Sequence, residues 1–213
     1  MDEYDRVPGL AESSALESMS SSKYKIINRW STPSTPDNGI HKLFTTSDQH
    51  WYLHKCEKCN YYNQMSYEDY DSSSVEAGGN ILTVNPNGVD LLAKTVVDGS
   101  FQFVCKKCGM PLDRWYNGSW QAMEKNRTAG GGGVRGYMIS QLNAVWISAD
   151  SLKRKELVSR SKQSFYNYVL GYPFLDVNLA VVDDDIYGNT YDSFDPVPDR
   201  ADYRFISVGI DWG

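Results

Sequence analysis

Cys56-Glu57-Lys58-Cys59 (CEKC) and Cys105-Lys106-Lys107-Cys108-Gly109 (CKKCG) are the stretches whose reading decides the fold of this chain. They hold all four cysteines of the 213 residues, arranged as C-x2-C, 45 intervening residues and a second C-x2-C. Two residues between cysteines let backbone amides turn toward the sulfurs while both thiolates reach one ion. Four thiolates then complete a tetrahedron with Zn–S of about 2.3 Å. Gly109 permits the positive φ that such a knuckle favours. The spacing predicts a zinc ribbon in which two hairpins each present one knuckle. With no open coordination position, the metal is structural. Rubredoxin-type iron uses similar ligands, and spacing alone does not separate it from zinc. Two disulfides are disfavoured in a chain without an export signal. A redox C-x-x-C usually comes singly, near a thioredoxin-like βαβ pattern. His41, His50 and His54 are expected at the surface, because four sulfurs need no further ligand.

Outward from the cysteines, each pair follows a strand-like run, HWYLHKC before the first and SFQFVCKKC before the second. The polar stretch 72–87 between the pairs reads as a loop or long hairpin. Residues 11–19 read as a short helix and 23–30 (KYKIINRW) as a strand, together the end of an α/β unit. The stretch 31–39 (STPSTPDNG) is turn chemistry. On the other side, 129–133 (AGGGG) is a hinge, and GYMISQLNAVW reads as a strand. Residues 151–170 read as one continuous helix, capped by Ser151 and stopped by Gly171 and Pro173, with no evident neighbour to pack against. An Asp-, Tyr- and Pro-rich linker over 174–202 leads to a last strand pattern, YRFISVGID.

Charge is uneven along the chain. The net charge is -6, which argues against a chain that coats nucleic acid everywhere. From Phe101 to Arg135 the local balance is +4, and from Asp176 to Asp202 it is -7. Basic segments can contact phosphate, whereas acidic ones are solvated linkers or bind cations. No apolar run approaches the roughly 18 residues that cross a bilayer. The start, MDEYDRVPGL, is not a secretory signal, so a cytosolic protein is expected.

An acidic pair, Asp2-Glu3, a helix, a strand and a Ser31-Thr32-Pro33 turn follow the order found in packaging ATPases. The matching stretches are DEYDRVPG, WSTPSTPDNGIHKLFTTSDQHWYLHKCEKC, FVCKKCGMPLDRWYNGSWQAM, RGYMISQLNAVWISADSL, SFYNYVLGYPF and ISVGIDWG. On these the chain resembles the large terminase subunit of tailed bacteriophages, in its lambda-like branch. The resemblance covers most of the chain and is weakest over 69–100 and 176–202. It implies an α+β chain in four parts. Residues 1–45 would end a P-loop-type α/β ATPase domain, and 46–128 would be a zinc-ribbon-like insertion. Residues 129–202 would be an interdomain helix and linker, and 203–213 the first strand of a ribonuclease H-like nuclease domain.

The same resemblance implies roles. Asp2 would hold Mg²⁺ through water at the end of a Walker B strand, and Glu3 would orient the water that attacks the γ-phosphate of ATP. Ser31, Thr32 and Pro33 would be the coupling motif that senses the γ-phosphate. Asp211 would be the first carboxylate of a two-metal nuclease site. Partners would be double-stranded DNA, the small terminase subunit and the portal, in a homo-oligomeric motor without a membrane. The location would be the host cytoplasm and, transiently, the procapsid. The chain departs from the family in having no G-x-x-x-x-G-K-[ST], so the 213 residues are expected to be an internal fragment, inactive alone. The alternative is a stand-alone zinc-ribbon module that binds nucleic acid or protein. There the bases near Cys105 would meet phosphate, and Trp115, Tyr116 and Trp120 would stack on bases.

Overall fold

The structure, a computed structural model, describes residues 1–128 and 133–176. The expected strand at 203–211, Asp211, most of the 174–202 linker and most of the 129–133 hinge lie outside the described residues. Helix and sheet are mixed. Residues Met1–Leu175 form one compact unit.

The chain opens with two short helical pieces, a 3-10 turn at Tyr4–Arg6 and helix α1 at Gly9–Glu17. Residues 23–30 are extended but do not form the expected strand. Tyr24 and Ile26 are exposed, and only the end of the stretch is bonded to other backbone. There the Met1 ammonium donates to the Asn28 carbonyl (2.7 Å), Trp30 N–H to the Met1 carbonyl (2.9 Å) and Tyr4 N–H to the Trp30 carbonyl (2.9 Å). Bonding one residue to positions two apart on its neighbour is the pattern of parallel chains. Too few residues take part to make a ladder. Glu12 fixes α1 over this pair, accepting from the Arg29 guanidinium (2.7 and 2.9 Å) and the Tyr4 hydroxyl (2.8 Å).

Helix α2, Gly39–Thr46, leads into the sheet. Its centre is β1, His50–Lys55, which pairs antiparallel with β2, Tyr62–Gln64, and along its length with β7, Gly118–Ala122. A short strand, Tyr137–Met138, joins the start of β1 in parallel. That is all that forms of the strand pattern at 136–146. The chain turns away at Ser140, whose side chain caps a 3-10 turn at Gln141–Asn143. A second ladder pairs β3, Ile81–Thr83, with β6, Phe101–Phe103, and a third pairs β4, Val89–Asp90, with β5, Thr95–Val96. Thus part of the stretch expected as a loop or long hairpin is a strand, β3. Its anchor is Ile81, which is fully buried.

The expected continuous helix over 151–170 is broken. Helix α3 spans Ala149–Val158 and is capped by Ser148, which accepts from Ser151 N–H, so Ser151 lies inside it. Ser159 and Ser161 are extended, and the Ser161 side chain caps the next start by accepting from Ser164 N–H. Serine hydroxyls compete in this way for the backbone groups that would continue a helix. One α turn, Lys162–Ser164, then passes into a π-helical turn, Phe165–Leu170. It stops at Gly171, φ +71°, as the sequence predicts.

This helical stretch does not lack neighbours. Leu152, Phe165 and Leu170 share one core with Cys56, Met65, Tyr67, Ile81, Phe103 and Cys105. Polar ties reinforce it. The Asp150 carboxylate accepts from Gly99 and Phe101 N–H (2.8 and 2.7 Å), and the Tyr67 hydroxyl donates to Glu156 (2.5 Å). The Arg114 guanidinium lies 4.0 Å from the Phe103 ring centroid and donates to the Leu142, Ala144 and Ile147 carbonyls.

Candidate metal centre

The two C-x2-C stretches sit at hairpin tips and repeat one geometry. After β1, Cys56 N–H donates to the Tyr61 carbonyl and Asn60 N–H to the Cys56 carbonyl (2.8 and 2.9 Å). After β6, Cys105 N–H donates to the Met110 carbonyl and Gly109 N–H to the Cys105 carbonyl, at the same two distances. The residue after each second cysteine is left-handed, Asn60 at φ +59° and Gly109 at φ +67°. Glycine reaches this region freely, and asparagine is among the few other residues that visit it. The first knuckle therefore uses Asn60 where the second uses glycine.

The tips meet. The Cys56 and Cys108 sulfurs are 3.7 Å apart and those of Cys59 and Cys105 3.6 Å, with all four within 4.8 Å of one another. A disulfide requires about 2.05 Å, and all four cysteines are free. Tetrahedral ligands at about 2.3 Å from an ion lie about 3.8 Å apart, so the sulfurs are spaced to hold one metal ion and are compatible with zinc. The surroundings of Cys59, Cys105 and Cys108 act differently on their thiols. Burial pushes the Cys59 thiol up to about 12 and raises that of Cys108. Burial also opposes the Cys105 thiolate, but the N–H groups of Cys108 and Lys107 and the Asn63 amide outweigh it and bring this thiol to about 7. A cation among the sulfurs would stabilise thiolates at all four positions.

A buried residue that sequence reasoning missed stands behind the sulfurs. Asn63, on β2, is fully enclosed. Its amide donates to the Cys105 sulfur (3.5 Å) and to the His54 and Tyr61 carbonyls (3.2 Å each). Its carbonyl accepts from Lys106 N–H (2.9 Å) and from Asn80 (3.3 Å), which itself donates to the Val104 carbonyl (2.8 Å). This pair of asparagines links the two hairpins. No feature of the sequence marks it, since asparagine is frequent in the polar stretches around both.

The histidines take no part in the cluster. His54 corrects the surface expectation, because it is fully buried and neither ring nitrogen finds a partner among the described residues. It lies near the end of the central strand β1, which has β2 on one side and β7 on the other. His50 is mostly buried beside the enclosed Asp48 carboxylate (2.9 Å), and His41 accepts from Asp37 N–H.

Away from the cluster, the paired segments 1–4 and 28–30 bring together the other candidate residues at the N-terminal end. Asp2 and Glu3 are exposed, and Glu3 is left-handed at φ +50°. The Ser31 hydroxyl accepts from Asp5 N–H (3.1 Å), and the Asp5 carboxylate accepts from Ser34 N–H and hydroxyl (3.0 Å each) and from Ile40 N–H (2.6 Å). Pro33 is buried, and Thr32 lines a cavity of about 270 Å³ together with Glu3, Asp5 and Tyr168.

The basic stretch is less available than its charge implies. Arg114 is buried on carbonyls, and Arg127 donates to the Thr45 and Ser47 carbonyls. Trp115, Tyr116 and Trp120 are all exposed, and Trp120 also packs edge-on against Tyr52 and Tyr137. Trp115, Trp120 and Trp146 line a second cavity, of about 690 Å³. Among the described residues no helix is long and apolar enough to cross a membrane. Comparison of the chain with protein families, with curated proteins and with solved structures finds no match.

Proposed function

We propose that the chain is part of the large subunit of a viral DNA-packaging terminase: the end of its ATPase domain, a zinc-bearing insertion and the link toward a nuclease. The observation that supports this most is the parallel bonding of residues 1–4 beside 28–30. Parallel neighbours bring their C-terminal ends to the same edge, where α/β folds bind ligands. An acidic pair acting at a γ-phosphate and a turn that senses its loss must share such an edge. Asp2-Glu3 and Ser31-Thr32-Pro33 lie at the C-terminal ends of the two segments so bonded, which supports this reading. The left-handed Glu3 adds support, since uncommon backbone conformations cluster at functional sites.

On this reading Asp2 holds Mg²⁺ through water, and Glu3 orients the attacking water and accepts its proton. The turn at 31–33 passes the loss of the phosphate to the parts that grip double-stranded DNA. The four sulfurs hold a structural zinc. The motor assembles from copies of the subunit and works with the small subunit and the portal, in the host cytoplasm and on the procapsid. On this reading these 213 residues alone do not hydrolyse ATP, because no G-x-x-x-x-G-K-[ST] is present.

The test is the coding sequence on both sides. A Walker A loop upstream and further nuclease carboxylates downstream are expected, and absence of both refutes the proposal. In the longer polypeptide, Glu3→Gln should retain ATP binding and lose hydrolysis.

The exposed Trp115 and Tyr116 and the tryptophan-lined cavity favour one second reading, a zinc module that stacks on nucleic-acid bases. It requires salt-sensitive binding of oligonucleotides by the purified chain. Failure to bind at low salt removes it.

A further inference from the structure

We propose that Asn167 is the positioning residue that holds the turn at 31–34 against the cysteine-bearing core. Its buried carboxamide donates to the carbonyls of Pro33 (2.5 Å), Ser34 (2.6 Å) and Tyr172 (3.3 Å). Two N–H groups thus serve three carbonyls, two of them in the turn. The other ties from the helical stretch to this end are slighter. Phe174 N–H donates to the Ser34 carbonyl (3.2 Å), and the Arg6 guanidinium reaches the Tyr168 hydroxyl at 3.4 Å.

The position of Asn167 makes it a link rather than a local cap. It lies in the π-helical turn Phe165–Leu170. Both ends of that turn, Phe165 and Leu170, are enclosed in the same core as Cys56 and Cys105. A π turn widens the helix by one residue and is frequent at functional sites. Here it directs one polar side chain at the turn while its neighbours stay in the core. The turn is therefore tied to the cysteine core chiefly through this one amide. That tie has a role in coupling only on the packaging reading above, whereas the positioning itself does not require it.

Hydrogen exchange on the full 213-residue chain tests this, with zinc bound and content measured. Asn167→Asp keeps the shape but replaces both donors with a carboxylate that repels the carbonyls. We expect it to retain zinc and knuckle protection while the amides of Ser34, Ile40 and Phe174 exchange about tenfold faster. Asn167→Ser, which keeps one donor, should fall between the variant and the parent. Should the aspartate variant lose zinc, the serine variant decides alone, with faster exchange at the three amides and zinc retained as the expected result. Parent-like exchange at the three amides overturns the proposal. So does loss of zinc and knuckle protection in both variants, which would make Asn167 an ordinary core residue. Either failure leaves the packaging reading standing, and flanking sequence without ATPase or nuclease motifs would remove that reading without touching the exchange result.

Discussion

Asn63 and His54 are the two residues whose burial has the largest chemical consequence. Asn63 donates to the Cys105 sulfur and accepts from Lys106 N–H, so it both stabilises a thiolate and orients the second knuckle. Partners of this kind typically contribute about 10–100-fold to metal affinity. Asn63→Ala should weaken zinc binding by that order in a competition titration against a chelator, and parent-like affinity would contradict the role. His54 is enclosed without a partner. Burial, helped by the nearby Arg114 charge, pushes its pKa from 6.5 down to about 4. Between those values the unfolded chain binds the proton that the folded chain refuses, so stability is lost as pH falls. The full effect is about 3 kcal/mol near pH 4. His54→Leu should therefore lose less melting temperature than the parent between pH 7 and 5, at equal zinc occupancy. Parallel losses would contradict it. Neither residue was legible in the sequence, because one asparagine or histidine looks like another until the strands that enclose it are placed.

The knuckle is the element that the sequence declares most plainly, since its spacing, its strand leads and its glycine all follow from what one ion demands of the backbone. At the left-handed position its two copies use different residues, Asn60 and Gly109. A Cβ at Gly109 would stand 2.8 Å from the Tyr70 hydroxyl oxygen, in a left-handed backbone. Gly109→Ala should therefore cost about 1 kcal/mol or more, whereas Asn60→Gly should stay within about 0.5 kcal/mol of the parent. Denaturant titration with zinc bound measures both, and the reverse order would refute the equivalence of the knuckles. Other elements were less legible. The apolar spacing over 151–170 is helical on both sides of Ser159, and nothing in that periodicity shows that two serines will take over the backbone between them. The alternation at 23–30 reads as a strand, but a strand forms only where a partner runs beside it, and only the end of this stretch has one.

At the scale of the whole molecule the decisive fact is the shared core. From the sequence, loss of the metal is expected to unfold residues 50–125 and to leave the helix at 151–170, which has no evident neighbour, less affected. Instead Leu152, Phe165 and Leu170 pack in one cluster with Cys56 and Cys105. Such long-range packing is set by tertiary placement, which local pattern does not encode. Cys56→Ser should therefore release the helical stretch 149–170 together with the ribbon, seen as joint loss of helical circular dichroism and of amide protection in both regions. A variant that keeps its α3 protection while the ribbon exchanges freely would contradict the shared core.

All of this rests on the proposal that one ion draws the two hairpins together. X-ray absorption at the zinc edge, on the chain purified under reducing conditions, tests it most directly. One zinc per chain with four sulfur ligands at about 2.3 Å is the predicted result. A chain that carries no metal, or a coordination shell in which nitrogen or oxygen replaces sulfur, would contradict it.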